Sequence, residues 1–144
     1  MAPGHVLRCR RYIPVDGNPM GHYAASVRTV VELPLFTRLV RGRLSEAAVV
    51  TLTDFIAFNP EAGDLIEGSG GARKLRWPGS GRGKSGGARI VTYWHCAGCP
   101  VVLITIYLKN ERANLTKAEV AALKNISKEL AREHRSEEDE AEDS

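Results

Sequence analysis

Two hydrophobic rhythms alternate along this chain, and the places where they change mark its elements. Val27 to Leu33 is a short β-branched run that reads as a strand, and Pro34 suits the first turn of a following helix, where its missing N–H leaves no bond unmade. Leu35, Phe36, Leu39 and Val40 then gather on one side of a helix over Leu35 to Arg43. Ser45 is a good N-cap for a second helix, in which Val49, Leu52, Phe55 and Ile56 recur at helical spacing until Asn59-Pro60 stops it.

From there the period shortens. Glu61 to Gly71 reads as loop with a brief extended piece at Asp64 to Glu67, and Ala72 to Trp77 alternates as a strand. Pro78 to Gly87 is a glycine-rich basic loop. Arg89 to His95 and Val101 to Leu108 carry the strongest strand signals and are joined through Cys96-Ala97-Gly98-Cys99-Pro100, so the centre is an antiparallel meander of three strands. Thr116 with Glu119 makes a capping box for a last helix whose apolar side is Val120, Ala122, Leu123, Ile126 and Leu130, expected to fade near His134. The order strand, two helices, three strands, helix is that of an α+β domain.

The ends depart from both rhythms. Residues 1–26 mix prolines, glycines and scattered charge, and are expected to be an extension without regular structure; Met20 is an alternative start, which would make the preceding segment foreign to the native protein. Residues 27–134 form the folded domain, and 135–144 an acidic tail expected to fray through self-repulsion. The tail reads as a solubilising end or as an RNA mimic that tempers a basic surface. No run approaches the roughly 18 apolar residues of a membrane span, and no signal-peptide pattern opens the chain. A cytoplasmic protein with no membrane partner is the expectation, and three cysteines, an odd number, fit a reducing compartment better than a stapled framework.

Charge changes the picture more than composition does. The net +3 conceals a basic body, because six of the last eight residues are acidic. From Ser69 to Asn110 there is no acidic side chain, while Arg73, Lys74, Arg76, Arg82, Lys84, Arg89 and Lys109 all fall there. Such a stretch repels itself unless a polyanion binds it, and nucleic acid is the leading candidate. In a strand from Ala72, Lys74 and Arg76 share one face while Arg73 and Leu75 share the other.

Several familiar motifs fail on context. Gly79 to Ser85 is glycine-rich around Lys84, but Pro78 stands where a phosphate-binding loop needs its first glycine, and a strand rather than a helix follows. Cys96 and Cys99 beside His95 resemble half of a zinc site with no second half; a reverse turn with two incidental thiols is the simpler reading, so neither metal nor nucleotide cofactor is expected. The four histidines form no evident dyad. Trp77, Trp94, Tyr93 and Tyr107 are suited either to stacking on bases or to core packing.

The segments Asn59 to Asp64, Gly70 to Arg76, Gly83 to Arg89 and Tyr107 to Glu111 together resemble the RelE/HigB-type toxins of bacterial toxin–antitoxin modules, over about Arg28 to Arg132. The resemblance implies a microbial-ribonuclease-like α+β fold, an antiparallel sheet with an N-terminal helical pair and a C-terminal helix. It implies an endoribonuclease that cleaves mRNA in the ribosomal A site, and a cognate antitoxin, in this subgroup usually a helix-turn-helix protein. It also implies that the basic active surface falls on Arg73, Lys74 and Arg76, then Lys84 and Arg89, then Tyr107 and Lys109. A tyrosine that some members carry after the last strand has no counterpart here, where Asn114 and Leu115 stand.

RNA cleavage without a metal needs the 2′-OH deprotonated, the charge on the pentacovalent phosphate stabilised and the departing 5′-oxygen protonated. Arg89 with Arg76 suits the second task, Lys84 or Lys109 is the candidate base, Tyr107 would orient the RNA, and Arg73, Lys74 and Arg82 would bind its backbone. The rival readings are a non-catalytic RNA- or ribosome-binding module and a toxin-like fold retained as a structural partner.

Overall fold

The computed structural model describes residues 8–10, 28–78 and 87–142, with side chains over 28–78 and 87–133. The described strands are β1 (Arg8–Arg10), β2 (Val30–Glu32), β3 (Asp64–Leu65), β4 (Arg73–Trp77), β5 (Ala88–Tyr93) and β6 (Val101–Leu108); the described helices are α1 (Pro34–Val40), α2 (Glu46–Phe58) and α3 (Lys117–Glu142). The sheet order is β1-β2-β6-β5-β4-β3.

The α+β order read from the sequence holds. Pro34 opens α1, and the Ser45 hydroxyl caps α2 by accepting from the Ala48 N–H at 3.1 Å. The sheet is antiparallel at four of its five described pairings, and β2 joins β6 in parallel. A parallel partner is available because the chain between them crosses over through α1, α2 and the meander, where a tight hairpin would have forced the antiparallel arrangement.

Each face of the sheet is covered by a different part of the chain. Phe36 and Val40 of α1, with Val49, Leu52, Ile56 and Ala57 of α2, bury against Val30, Leu75, Ala88, Ile90, Val101, Leu103 and Ile106. On the opposite face Leu123 and Leu130 of α3 pack on Ala72, Val91, Tyr93, Val102, Ile104 and Tyr107. Leu35, expected to share the buried side of α1, is 38% exposed, while Phe36 and Val40 are buried and Leu39 packs partly against the same core.

Within β6 the simple alternation breaks. Thr92 pairs with Leu103 and Val91 with Thr105, leaving Ile104 as an extra residue opposite the Val91/Thr92 step. This β-bulge shifts the pleat by one position, so Val101, Leu103 and Ile106 face the helical pair while Tyr107 faces α3.

Three expectations need adjustment. Arg8–Arg10 in the amino extension adds β1 to the sheet edge, antiparallel to β2; the rest of residues 1–26 lies outside the described part. The last helix does not fade at His134 but continues to Glu142, since Glu and Ala are strong helix formers. Cys96 and Cys99 are not two incidental thiols but a disulfide across the β5–β6 turn, where the Cys99 N–H donates to the Cys96 carbonyl at 3.0 Å and the Cα atoms lie 5.1 Å apart.

Gly63 fixes where β4 can lie. Its φ is +94°, and a Cβ there would stand 2.6 Å from the Lys74 carbonyl oxygen. Gly63→Ala is expected to destabilise the domain by about 1–3 kcal/mol in urea unfolding, because backbone on both sides leaves no room to yield. An unchanged midpoint would show that β4 has slack at this point.

Candidate active site

Strand register brings the candidate residues together. Arg76 pairs with Arg89, and Arg89 pairs with Tyr107, so three side chains from three strands form one row across the sheet. Directly paired residues project to the same side. Lys74, Val91 and Thr105 make the adjacent row on that face. α3 covers Val91, Tyr93, Val102 and Ile104, leaving Arg76 exposed and Arg89 and Lys74 half-buried at its margin.

The other predicted residues divide. Lys109 lies one step past the ladder, its N–H donating to the Gly87 carbonyl at 2.9 Å, which places it at the Arg89 end of the sheet. Arg73 belongs to the opposite face, as its alternation with Lys74 requires, and its Nη1 donates to the Gly63 carbonyl at 3.1 Å. It secures the chain entering β3 instead of joining the row. Lys84 and Arg82 lie outside the described residues. Trp77 packs against Phe55, with centroids 5.4 Å apart, and Trp94 lies under the Arg28 guanidinium and donates its indole N–H to the Cys99 carbonyl at 3.2 Å; both belong to the helical-pair side.

The turn leaving β6 is fastened by charge. Glu111 accepts from Arg43 Nε and Nη2 at 2.9 and 2.7 Å and from the Leu108 N–H at 2.8 Å. The Arg43 hydrogen bonds hold the Glu111 carboxyl below its ordinary range. So anchored, the turn delivers Arg112, whose guanidinium lies 4.9 Å from the Tyr107 ring centroid. Arg112 in turn donates from Nη1 and Nη2 to the two oxygens of Glu119, both at 2.7 Å. The expected capping box is present: the Glu119 N–H donates to the Thr116 hydroxyl and the Thr116 N–H to Glu119 Oε1.

Tyr107 itself is 3% exposed. Burial pushes its phenol pKa up against the opposing pull of the Arg89 and Arg112 charges, so the hydroxyl remains protonated at neutral pH and acts as a donor. The arrangement is therefore a cationic row ending in a neutral hydroxyl, a donor set suited to an anionic oxygen.

The model of the family described as RelE toxin of the RelE/RelB toxin–antitoxin system matches residues 36–142. The chain belongs to the RelE toxin family. The matched span begins in α1 and takes in every residue of the cationic row. As a RelE-family toxin the protein has a cognate antitoxin as its implied partner. None of its described helices is long and apolar enough to cross a membrane.

Sequence reasoning missed Arg112 and read Glu119 only as a helix cap. Arg112 stands just beyond the acid-free stretch, behind Glu111, and no local periodicity links it to Tyr107 or to Glu119. A loop that folds back shows only in three dimensions.

Glu119 predicts a pH dependence. The Arg112 hydrogen bonds, then that from the Thr116 N–H, lower its pKa from the ordinary 4.5 to about 2. A depressed carboxyl pKa stabilises the fold fully above the unfolded value, and that contribution is lost as pH falls through the folded one. The melting-temperature difference between wild type and Glu119→Gln should be full at pH 6 and shrink between pH 4.5 and about 2. A difference that stays constant across that window would rule out the ion pair as its source.

Proposed function

We propose that this RelE-family toxin is an endoribonuclease that cleaves mRNA on the ribosome and thereby stops translation. The observation that carries the reading is the row Arg76, Arg89 and Tyr107, three potential phosphate contacts from three strands on one face. Ribose supplies its own nucleophile. Removal of the 2′-OH proton lets that oxygen attack the adjacent phosphorus, and the 5′-oxygen leaves with a proton, giving a 2′,3′-cyclic phosphate and a free 5′-hydroxyl. Charge accumulates on the phosphate oxygens as this happens, and a planar guanidinium can bind two of them at once.

In this scheme Arg89, central in the row and half-buried, stabilises the transition state with Arg76 beside it. Lys109 or Lys84, as the neutral amine, takes the 2′-OH proton. Lys74 holds the chain at the flank. Arg73, turned to the other face and bonded to Gly63, contributes to the fold and not to RNA binding. The antitoxin, expected to be a helix-turn-helix protein, would act by keeping this face from the ribosome.

Mapping mRNA ends in a purified translation system tests the reading. Breaks inside ribosome-occupied codons are expected with the wild-type protein. Arg89→Ala should cleave about tenfold more slowly or worse, about 1.4 kcal/mol or more in barrier, with its fold retained. Wild-type cleavage by the folded variant would remove Arg89 from the mechanism, and binding without any breaks would make the protein a non-catalytic ribosome-binding module. Lys74→Ala and Arg76→Ala should each flatten the log–log salt dependence of RNA binding by about 0.7, the single-strand value for one phosphate contact.

A further inference from the structure

The Tyr107 hydroxyl is buried and has no hydrogen-bond partner among the described residues. A phenol left unpaired in a core is destabilising, and phenylalanine would fill the same space without that penalty. What lies around it suggests a ligand. Arg89 is its cross-strand neighbour, and the Arg112 guanidinium covers its ring at 4.9 Å. Two cations and one protonated hydroxyl converge on a small region beside the proposed RNA face.

One anion already holds part of this set. Both Glu119 oxygens engage the Arg112 fork at 2.7 Å, the two-oxygen grip a phosphate offers a guanidinium equally well. The pair is more than a third exposed on each side, so solvent and ligand can reach it and the ion pair holds only weakly. Glu119 does not depend on Arg112 for satisfaction, because Oε1 also accepts from the Thr116 N–H at 2.8 Å. Releasing Arg112 would therefore leave the start of α3 capped.

We propose that Tyr107, Arg89 and Arg112 form a subsite for an RNA phosphodiester, and that Glu119 keeps it closed by occupying the Arg112 fork until a backbone phosphate takes its place. The inference rests on the ribonuclease reading above and deepens it. Closed, Arg112 is neutralised and lies over Tyr107; open, it follows the phosphate and exposes a donor hydroxyl. The carboxylate thus sets a threshold, since a weakly held or isolated anion does not displace it and a chain already gripped by Arg76 and Lys74 does.

The test measures binding of a non-cleavable 2′-O-methyl oligonucleotide to the full chain over a salt series, beside cleavage in the translation system. Glu119→Gln keeps an oxygen for the Thr116 N–H but loses the charged fork. It should bind the oligonucleotide several-fold more tightly at low salt, with the log–log slope steeper by about 0.7. Adding Arg112→Ala should abolish that gain. Tyr107→Phe should melt at the same temperature or higher while binding more weakly, the reverse of what loss of a structural hydroxyl would do.

Unchanged or weaker binding by Glu119→Gln, or unchanged binding by Tyr107→Phe, overturns the inference. Should Glu119→Gln be unfolded at the assay temperature, Tyr107→Phe alone decides. Cleavage that still depends on Arg89 under those results leaves the ribonuclease reading standing. Absence of cleavage, with salt slopes indifferent to Arg76 and Arg89, sinks both.

Discussion

The pleat of β5 is the constraint on which the rest depends. Ala88 and Ile90 project to the helical pair, and Arg89 and Val91 to the α3 side, so one six-residue strand builds part of the core and carries the central cation of the row. A strand can serve both purposes only if its neighbours keep step with it. β4 does so from Arg73 to Trp77 without interruption, and β6 does so through one bulge.

The second requirement is electrostatic. Cations on a sheet face repel one another, and the chain places carboxylates behind them and not among them. Glu111 fastens the turn after β6 to Arg43, which lies between the two helices of the opposite face, and Glu119 fastens Arg112 to the start of α3. The acids thus hold loops and helix ends while Arg76 and Lys74 keep their charge toward solvent. This division explains why the longest acid-free stretch of the sequence contains the whole row except for what the last turn brings back.

Much of this was legible in the residues because the signals are local. The Ser45 cap, the Thr116 and Glu119 capping box, Pro34 at the helix start and the alternation from Val101 each specify structure within a few positions. The split of Arg73 from Lys74 and Arg76 followed from the two-residue period alone. What escaped the reading was long-range. The parallel pairing of β2 with β6 leaves no trace in either strand, the Arg112 contact with Tyr107 depends on how a turn folds back, and the Cys96–Cys99 bond depends on a turn tight enough to bring its ends together. Two of the candidate cations, Arg82 and Lys84, belong to the glycine-rich loop outside the described residues, and their place in the site rests on the family resemblance.

The extra residue in β6 has a consequence for how this surface could be gained or lost. Were β6 regular with Ile104 retained, the odd-numbered positions from Val101 onward would all turn toward the helical pair, and the phenol would enter the core on the side of Leu103. No exchange of one amino acid for another achieves that reversal. The cationic row is thus as much a matter of residue count as of residue identity: the bulge absorbs one residue of β6, and a strand of the same length without it would turn Tyr107 away from the row while leaving every arginine in the gene.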